Sequence, residues 1–310
     1  MLVPQNNYLC ISKSKRKTMH KAGFGNILGN PNVGKSTLMN NMVGEKLSII
    51  TSKAQTTRQR IFGIVNGEDF QIIYSDTPGI LKPAYKLQEA MLHYVDQAIE
   101  DADIILYVTD VNEKPDKNIE YIEKIRKAKV PVILVINKVD LADQAKVEAL
   151  IKLWQELLPD AEIVPASAMH RFNLDKIFDL ILEKLPEHEP YFDKEQLTDR
   201  PMRFFVAEII REKILELYKQ EIPYSVEVGI DSFKEYPTIT KIYATIYVAR
   251  ESQKPIIIGH KGQAIKRLGI EARKEIEEFL GTKVYLELYV KVAKNWRNDS
   301  SKLRRFGYEI

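Results

Sequence analysis

From Ala22 onward, short β-rich runs alternate with stretches in which apolar residues recur every three or four positions. The runs are FGNILG (24–29), FQIIYSD (70–76), DIILYVTD (103–110), VPVILVINK (130–138) and EIVPAS (162–167). Their polarity is continuous rather than alternating, the pattern of strands covered on both faces in a parallel sheet. The spacing predicts helices over 35–42, 86–100, 116–128, 144–157 and 174–184. A strand-helix alternation of this kind is the pattern of a doubly wound α/β domain, placed at 19–185. Gly25 falls inside the first run, where it is expected either to weaken the strand or to admit a close neighbour.

The periodicity then breaks. PEHEPYFDKEQLTDRP, 186–201, is polar, charged and carries three prolines, and reads as a linker. A second unit, 202–310, opens with a predicted helix at 203–220 and strand-like runs at 224–231 and 239–249. A GHKG turn follows at 259–262, then a helix to Leu280 and a strand at 283–292. Residues 1–18 stand before the first run and are expected to be a disordered extension, with Met19 as the start of the fold.

Composition narrows the setting. Hydrophobic residues are 45% and charged residues 29% of the 310, and no stretch reaches the ~20 apolar residues of a membrane span. Cys10 is the only cysteine, and the opening residues have no secretory apolar core, so a reducing cytoplasm is expected. Charge is uneven: residues 201–310 hold 20 basic against 15 acidic residues and the first 19 hold four basic and no acidic ones, so the middle of the chain is acidic. A basic unit beside an acidic one points to a polyanionic partner for the former.

GNPNVGKS, 29–36, matches G-x-x-x-x-G-K-[ST]. The bare pattern arises by chance in roughly one protein of this length per hundred. Its place between a strand and a helix makes it informative. Gly29, Asn30, Pro31, Asn32, Val33 and Gly34 form a loop whose amides face phosphates, Lys35 reaches the β and γ oxygens, Ser36 holds Mg²⁺, and Thr37 beside it completes the nucleotide-binding set. DTPG, 76–79, ends the second run, bringing Asp76 to the Mg²⁺ and the Gly79 amide to a γ-phosphate. NKVD, 137–140, ends the fourth. A carboxylate accepts two bonds from the adjacent N–H donors of guanine, which adenine lacks, so Asp140 reads the base while Asn137 and Lys138 brace its loop. The tripeptide Ala166, Ser167, Ala168 closes over that base. The motif order implies binding of GTP and GDP with Mg²⁺, and GTP hydrolysis.

The order GNPNVGKS, QTTRQ, DTPG, NKVD, ASA resembles the translation-factor-related GTPases and, within them, the Era family. The similarity runs over nearly the whole chain from Met19. It implies a P-loop GTPase domain with a mostly parallel sheet, followed by a smaller α+β type II KH domain. It places the switch threonine in QTTRQ, so Thr57, or its neighbour Thr56, would bind Mg²⁺ in the GTP state. Lys35, Thr57, Asp76 and Gly79 are thus the catalytic set. The residue after DTPG is Ile80, where Ras-like proteins place the glutamine that positions water. An isoleucine cannot do this, so slow intrinsic turnover is expected.

In the second unit, the sequence IIIGHKGQAIKR sets GxxG between an apolar run and a helix, as a KH clamp on single-stranded nucleic acid requires. Ile258, Gly259, His260, Lys261, Gly262, Lys266 and Arg267 are the candidate RNA contacts, with Lys254 beside them and Ile256, Ile257 and Ile258 as an apolar floor under the bases. The resemblance, which continues through IPYSV, IEARK and ELYVKV, implies the 3′ end of 16S ribosomal RNA and the 30S subunit as partners. It also implies some association with the inner membrane surface, and it names no DNA. A monomer is expected. The tail from Lys291 to Arg305, six basic residues against one acidic, fits an RNA or an anionic lipid surface equally well. His93, His170, His188 and Trp154 carry no ligand spacing and are expected to pack.

Overall fold

The computed structural model describes residues 19–114 and 118–310. The expected extension, 1–18, and the first residues of the helix expected at 116–128 lie outside the described residues.

A six-stranded sheet holds β1 (Lys21–Gly29), β2 (Ile61–Asn66), β3 (Phe70–Asp76), β4 (Ile104–Asp110), β5 (Val132–Asn137) and β6 (Glu162–Pro165) in the order β2-β3-β1-β4-β5-β6. All neighbours are parallel except β2 and β3, an antiparallel hairpin. The continuous apolar runs form the buried centre, and helices α1 (Lys35–Val43), α2 (Lys86–Glu100), α3 (Ile119–Ala128), α4 (Gln144–Leu157) and α5 (Leu174–Lys184) connect the strands. Sequence patterning missed β2, an edge strand of mixed burial interrupted by Gly63. Gly25 does not break β1. It pairs with Tyr74 and Ile104, and a Cβ there would meet Leu106 at 3.4 Å and Tyr74 and Ile72 at 3.8 and 3.9 Å, ordinary contacts. Trp154 is buried against Tyr107, with ring centroids 5.6 Å apart, as its place on an amphipathic helix implied.

Residues 186–201, though largely exposed, are hydrogen-bonded along the sheet. Ala22 N donates to Pro186 O at 3.2 Å, Gln71 Oε1 accepts the amides of Tyr191 and Phe192 at 2.8 and 3.0 Å, and Ile64 N donates to Leu197 O at 2.8 Å. Tyr191 and Phe192 pack edge-on against Phe24 and Phe62.

The second unit begins with α6 (Met202–Leu217) and the short α7 (Ile222–Ser225). Strands β7 (Val226–Tyr236) and β8 (Ile239–Val248) are antiparallel; α8 (Lys254–Ile258) and α9 (Gln263–Leu280) lead back to β9 (Val284–Val292), parallel to β8. A last helix, α10 (Ser300–Arg305), completes the chain. Helices α6 and α9 cover one face of this sheet through Ile209, Ile210, Leu268, Ala272 and Ile276. The two units share a core: Leu87, Ala90, Met91 and Tyr94 of α2 are buried with Ala249, Trp296, Leu303 and Tyr308.

Candidate nucleotide site and RNA-facing loop

The loop from Gly29 to Gly34 needs its glycines for space as well as conformation. Gly29 (φ +144°) and Gly34 (φ +98°) lie in backbone regions that side chains avoid, and a Cβ would overlap the Val108 carbonyl at the first and the Asn137 amide at the second. Ile80 N donates to Gly29 O at 3.1 Å, so DTPG is laced to the loop, and Gly79 lies where a Cβ would come within 2.6 Å of Pro31 N. Lys35 Nζ donates to the carbonyls of Gly29 and Asn30 at 3.0 and 2.8 Å. Two of its three donor hydrogens are used, leaving one for a phosphate oxygen. Burial lowers the Lys35 pKa to about 8, against the opposing pull of Asp76 and Glu113.

Three elements converge on the metal-binding candidates. Ser36 opens α1, Asp76 ends β3, and Thr57 lies on the loop between α1 and β2. Asp76 Oδ2 accepts from Ser36 Oγ at 2.7 Å and from Thr57 Oγ1 at 3.1 Å, and the two hydroxyls are 3.0 Å apart. The Thr56 hydroxyl turns away to Thr51 and to Lys53 O, at 2.7 and 2.6 Å, so Thr57 is the one placed with Ser36 and Asp76. Among the described residues, Asp76 Oδ1 is buried without a hydrogen-bond partner. Burial raises the Asp76 pKa, opposed by Lys35 and the hydroxyls. An unpartnered buried carboxylate oxygen beside two hydroxyls fits a divalent cation or one of its water ligands. Ile80 packs into the core with Leu28, Val95 and Ala98, consistent with no role for it at the attacking water.

At the base end, Asn137 Nδ2 donates to Val33 O at 2.8 Å and its Oδ1 accepts Ala168 N at 2.9 Å, so one side chain ties the phosphate loop to the ASA loop. Lys138, at φ +60°, bridges Asn32 O and Asp110, both at 2.6 Å. Asp140 Oδ1 accepts from Ser167 Oγ at 2.5 Å. Its other oxygen lies 3.7 Å from His170 Nε2, a residue expected only to pack; its signal was its position just past the ASA tripeptide. Glu113 was also missed. It holds Thr109 at 2.8 Å and the Asn30 amide, and it lies on a strand-to-helix loop that carries no motif.

The GHKG loop is built differently. Gly259 (φ +73°) ends α8 and abuts Ala264, whereas Gly262 (φ +77°) has open space where a Cβ would be. His260, Lys261, Lys266 and Arg267 are exposed around the start of α9, whose first turn has no acidic residue. Cations at a helix N-terminus oppose the helix dipole unless an anion lies between them. The expected isoleucine floor is corrected: α8 is helical, so its consecutive residues point different ways. Ile257 is fully buried in the core, Ile258 is partly buried, and Ile256 is 53% exposed.

The QTTRQ segment enters the second unit directly. Buried Arg58 donates to the carbonyls of Val226 and Pro223 at 2.7 and 3.1 Å and pairs with Glu227 at 3.1 Å. Its guanidinium stands 5.8 Å from the centre of Trp296. Arg211 of α6 returns a bond to Thr56 O at 2.5 Å, and Lys53 caps α6 at the carbonyls of Leu215 and Tyr218.

Comparison with known proteins agrees with this arrangement. Residues 26–138 match a family model described as a 50S ribosome-binding GTPase, and residues 221–297 match a KH domain. The chain is 45% identical over 293 residues to GTPase Era of Staphylococcus haemolyticus, spanning 94% of this chain and 98% of that one. Two solved structures align with a TM-score of 0.90 and 44% identity over 94% of this chain and 100% of theirs. One is an Era variant of Aquifex aeolicus bound to GDP·AlF4⁻, and the other is Era with MgGDPNP and nucleotides 1506–1542 of 16S ribosomal RNA. A mostly parallel nucleotide-binding sheet, an attached KH domain and this degree of identity place the chain in the Era family of GTPases.

Proposed function

We propose that this GTPase is a switch that binds the 3′ end of 16S ribosomal RNA through the GHKG loop and assists assembly of the 30S subunit, its grip on RNA governed by the bound nucleotide. The Ser36–Thr57–Asp76 cluster carries the reading, because Arg58, the residue after Thr57, is anchored inside the RNA-facing unit. A change in how Thr57 is held cannot leave Arg58 and its partners Val226, Pro223 and Glu227 undisturbed.

Ser36, Thr57 and Asp76 would hold Mg²⁺, which neutralises charge on the phosphoryl oxygens as the terminal phosphate is cleaved. Lys35 and the loop amides bind and orient the phosphates, the Gly79 amide meets the terminal one, and Asp140, Asn137, Lys138, Ser167 and Ala168 select guanine. With Ile80 in the core, no glutamine follows DTPG to position water, and intrinsic hydrolysis is slow. At the other site, Gly259 and Gly262 let an RNA backbone approach while His260, Lys261, Lys266 and Arg267 meet its phosphates.

The test is direct. The protein should sediment with free 30S particles and bind a 3′-end oligonucleotide, with affinity falling steeply as salt rises. Flotation with anionic vesicles and no RNA affinity would instead make the basic tail a lipid reader.

A further inference from the structure

Helices α6 and α9 cover one face of the three-stranded sheet, and among the described residues the far end of the opposite face is left open. Cross-strand register puts Tyr243 and Lys241 of β8, Tyr285, Glu287 and Tyr289 of β9, and Lys234 of β7 on that open face. The C-terminal segment covers one end, where Phe306 packs on Tyr247 with ring centroids 5.0 Å apart. Beyond it, Tyr285 and Tyr289 are each 45% exposed and Tyr236 is 48% exposed. Exposed aromatics concentrated on one rigid face mark a binding surface.

The arrangement favours bases over a protein partner. Tyr243 is level with Glu287, midway between Tyr285 and Tyr289 and one strand to the side. Given about 3.3 Å per residue and about 4.8 Å between strands, successive backbone positions stand about 8 Å apart, and the Tyr243 and Tyr285 rings lean to 6.0 Å between centroids with their planes 58° apart. Even the closer spacing exceeds the 3.4 Å rise of a stacked strand, and the tilted planes present separate faces, so the rings suit unstacked bases. Tyr285 and Tyr289 both donate their hydroxyls to Glu287, the former at 2.9 Å, which fixes the rings. Exposed Lys234, Lys241 and Lys291 flank them, Lys241 Nζ lying 5.5 Å from the Tyr236 ring centre. Aromatics interleaved with lysines on a sheet are the chemistry of a single-strand stacking platform.

Strand β9 is the edge of the sheet, and α8 and α9, which flank GHKG, pack against it. We propose that the open face at Tyr243, Tyr285 and Tyr289 is a second nucleic-acid subsite, which takes unpaired bases of the same strand as it crosses β9 from the GHKG clamp. The proposal rests on the RNA-binding reading above, and its test separates the two. Filter binding of Tyr285→Ala and Tyr289→Ala should show about tenfold weaker affinity each for a ten-nucleotide unpaired RNA, the loss of one stacked base. Affinity for a four-nucleotide RNA, the length a KH clamp spans, should be unchanged. Tyr289→Phe should restore the long-RNA affinity, and the salt slope should not move, because no phosphate contact is lost. If the alanine variants bind both RNAs as wild type does while Gly262→Asp binds neither, the platform is wrong and the clamp stands. If Gly262→Asp also binds normally, the RNA reading itself fails. Normal RNA affinity with lost 30S co-sedimentation would make the face a protein-docking surface and overturn the proposal.

Discussion

The molecule contains two glycine loops that each open a helix, GNPNVGKS before α1 and GHKG before α9, and they solve opposite problems. The first is walled in: Lys35 is buried and the backbone at Gly29, Gly34 and Gly79 is so crowded that no side chain fits. The second is open, with exposed lysines and free space beside Gly262. An enclosed loop surrounds the end of one small ligand and gains strength from desolvation. An open loop lets a polymer enter and leave along its length. The same glycine chemistry yields a nucleotide cradle in one place and a backbone clamp in the other because of the walls around it.

The largest effect should come from the enclosed loop. Lys35→Ala removes charge-assisted contacts worth about 1.5–3 kcal/mol each, and titration with a fluescent GDP analogue should show binding weakened by at least about 100-fold. A small change would mean that the loop is not the phosphate cradle. Arg58→Ala, at the junction of the two regions, removes the ion-pair partner of buried Glu227, which keeps the Tyr308 hydroxyl at 2.7 Å but loses the paired cation. It should lower unfolding free energy by about 3 kcal/mol, since removing one partner of a buried pair costs about 3–5 kcal/mol; an unchanged denaturant midpoint would show that the units are independent. Asp140→Asn should weaken GTP binding about 100-fold, by loss of the paired bonds to guanine, and should strengthen binding of xanthosine triphosphate. Gly262→Ala should do least. A left-handed residue other than glycine costs about 1–2 kcal/mol, nothing stands in the way of its Cβ, and GDP affinity should be unaltered. Gly29→Ala, by contrast, should abolish nucleotide binding.

The two regions also differ in how far the sequence revealed them. The cradle is local: strand, loop and helix are contiguous, and each motif residue acts from the end of an apolar run. The structure accordingly brings Ser36, Thr57 and Asp76 together and joins Asn137 to both the phosphate and ASA loops. Strand β2 escaped notice because an edge strand lacks the continuous apolar pattern. Short α8 was read as an apolar floor because five residues show no helical period. The least legible feature was Arg58, whose partners at Pro223, Val226 and Glu227 are more than 160 residues away. No local pattern can announce a buried ion pair between units, and a polar, proline-bearing segment at 186–201 suggested looser coupling than its hydrogen bonds along the sheet allow. His170 was obscured similarly, since its meaning depends on the placement of Asp140.

The central claim is that the enclosed loop governs the open one through the Thr57–Arg58 segment. Its most direct test is the dissociation constant of a 16S 3′-end oligonucleotide, measured on one preparation with excess GDP and then with excess of a non-hydrolysable GTP analogue, both with Mg²⁺. The account predicts affinities that differ by at least about fivefold, the lower bound of a typical coupling between sites, and a difference that shrinks in Arg58→Ala. Equal affinities in the two nucleotide states would contradict it.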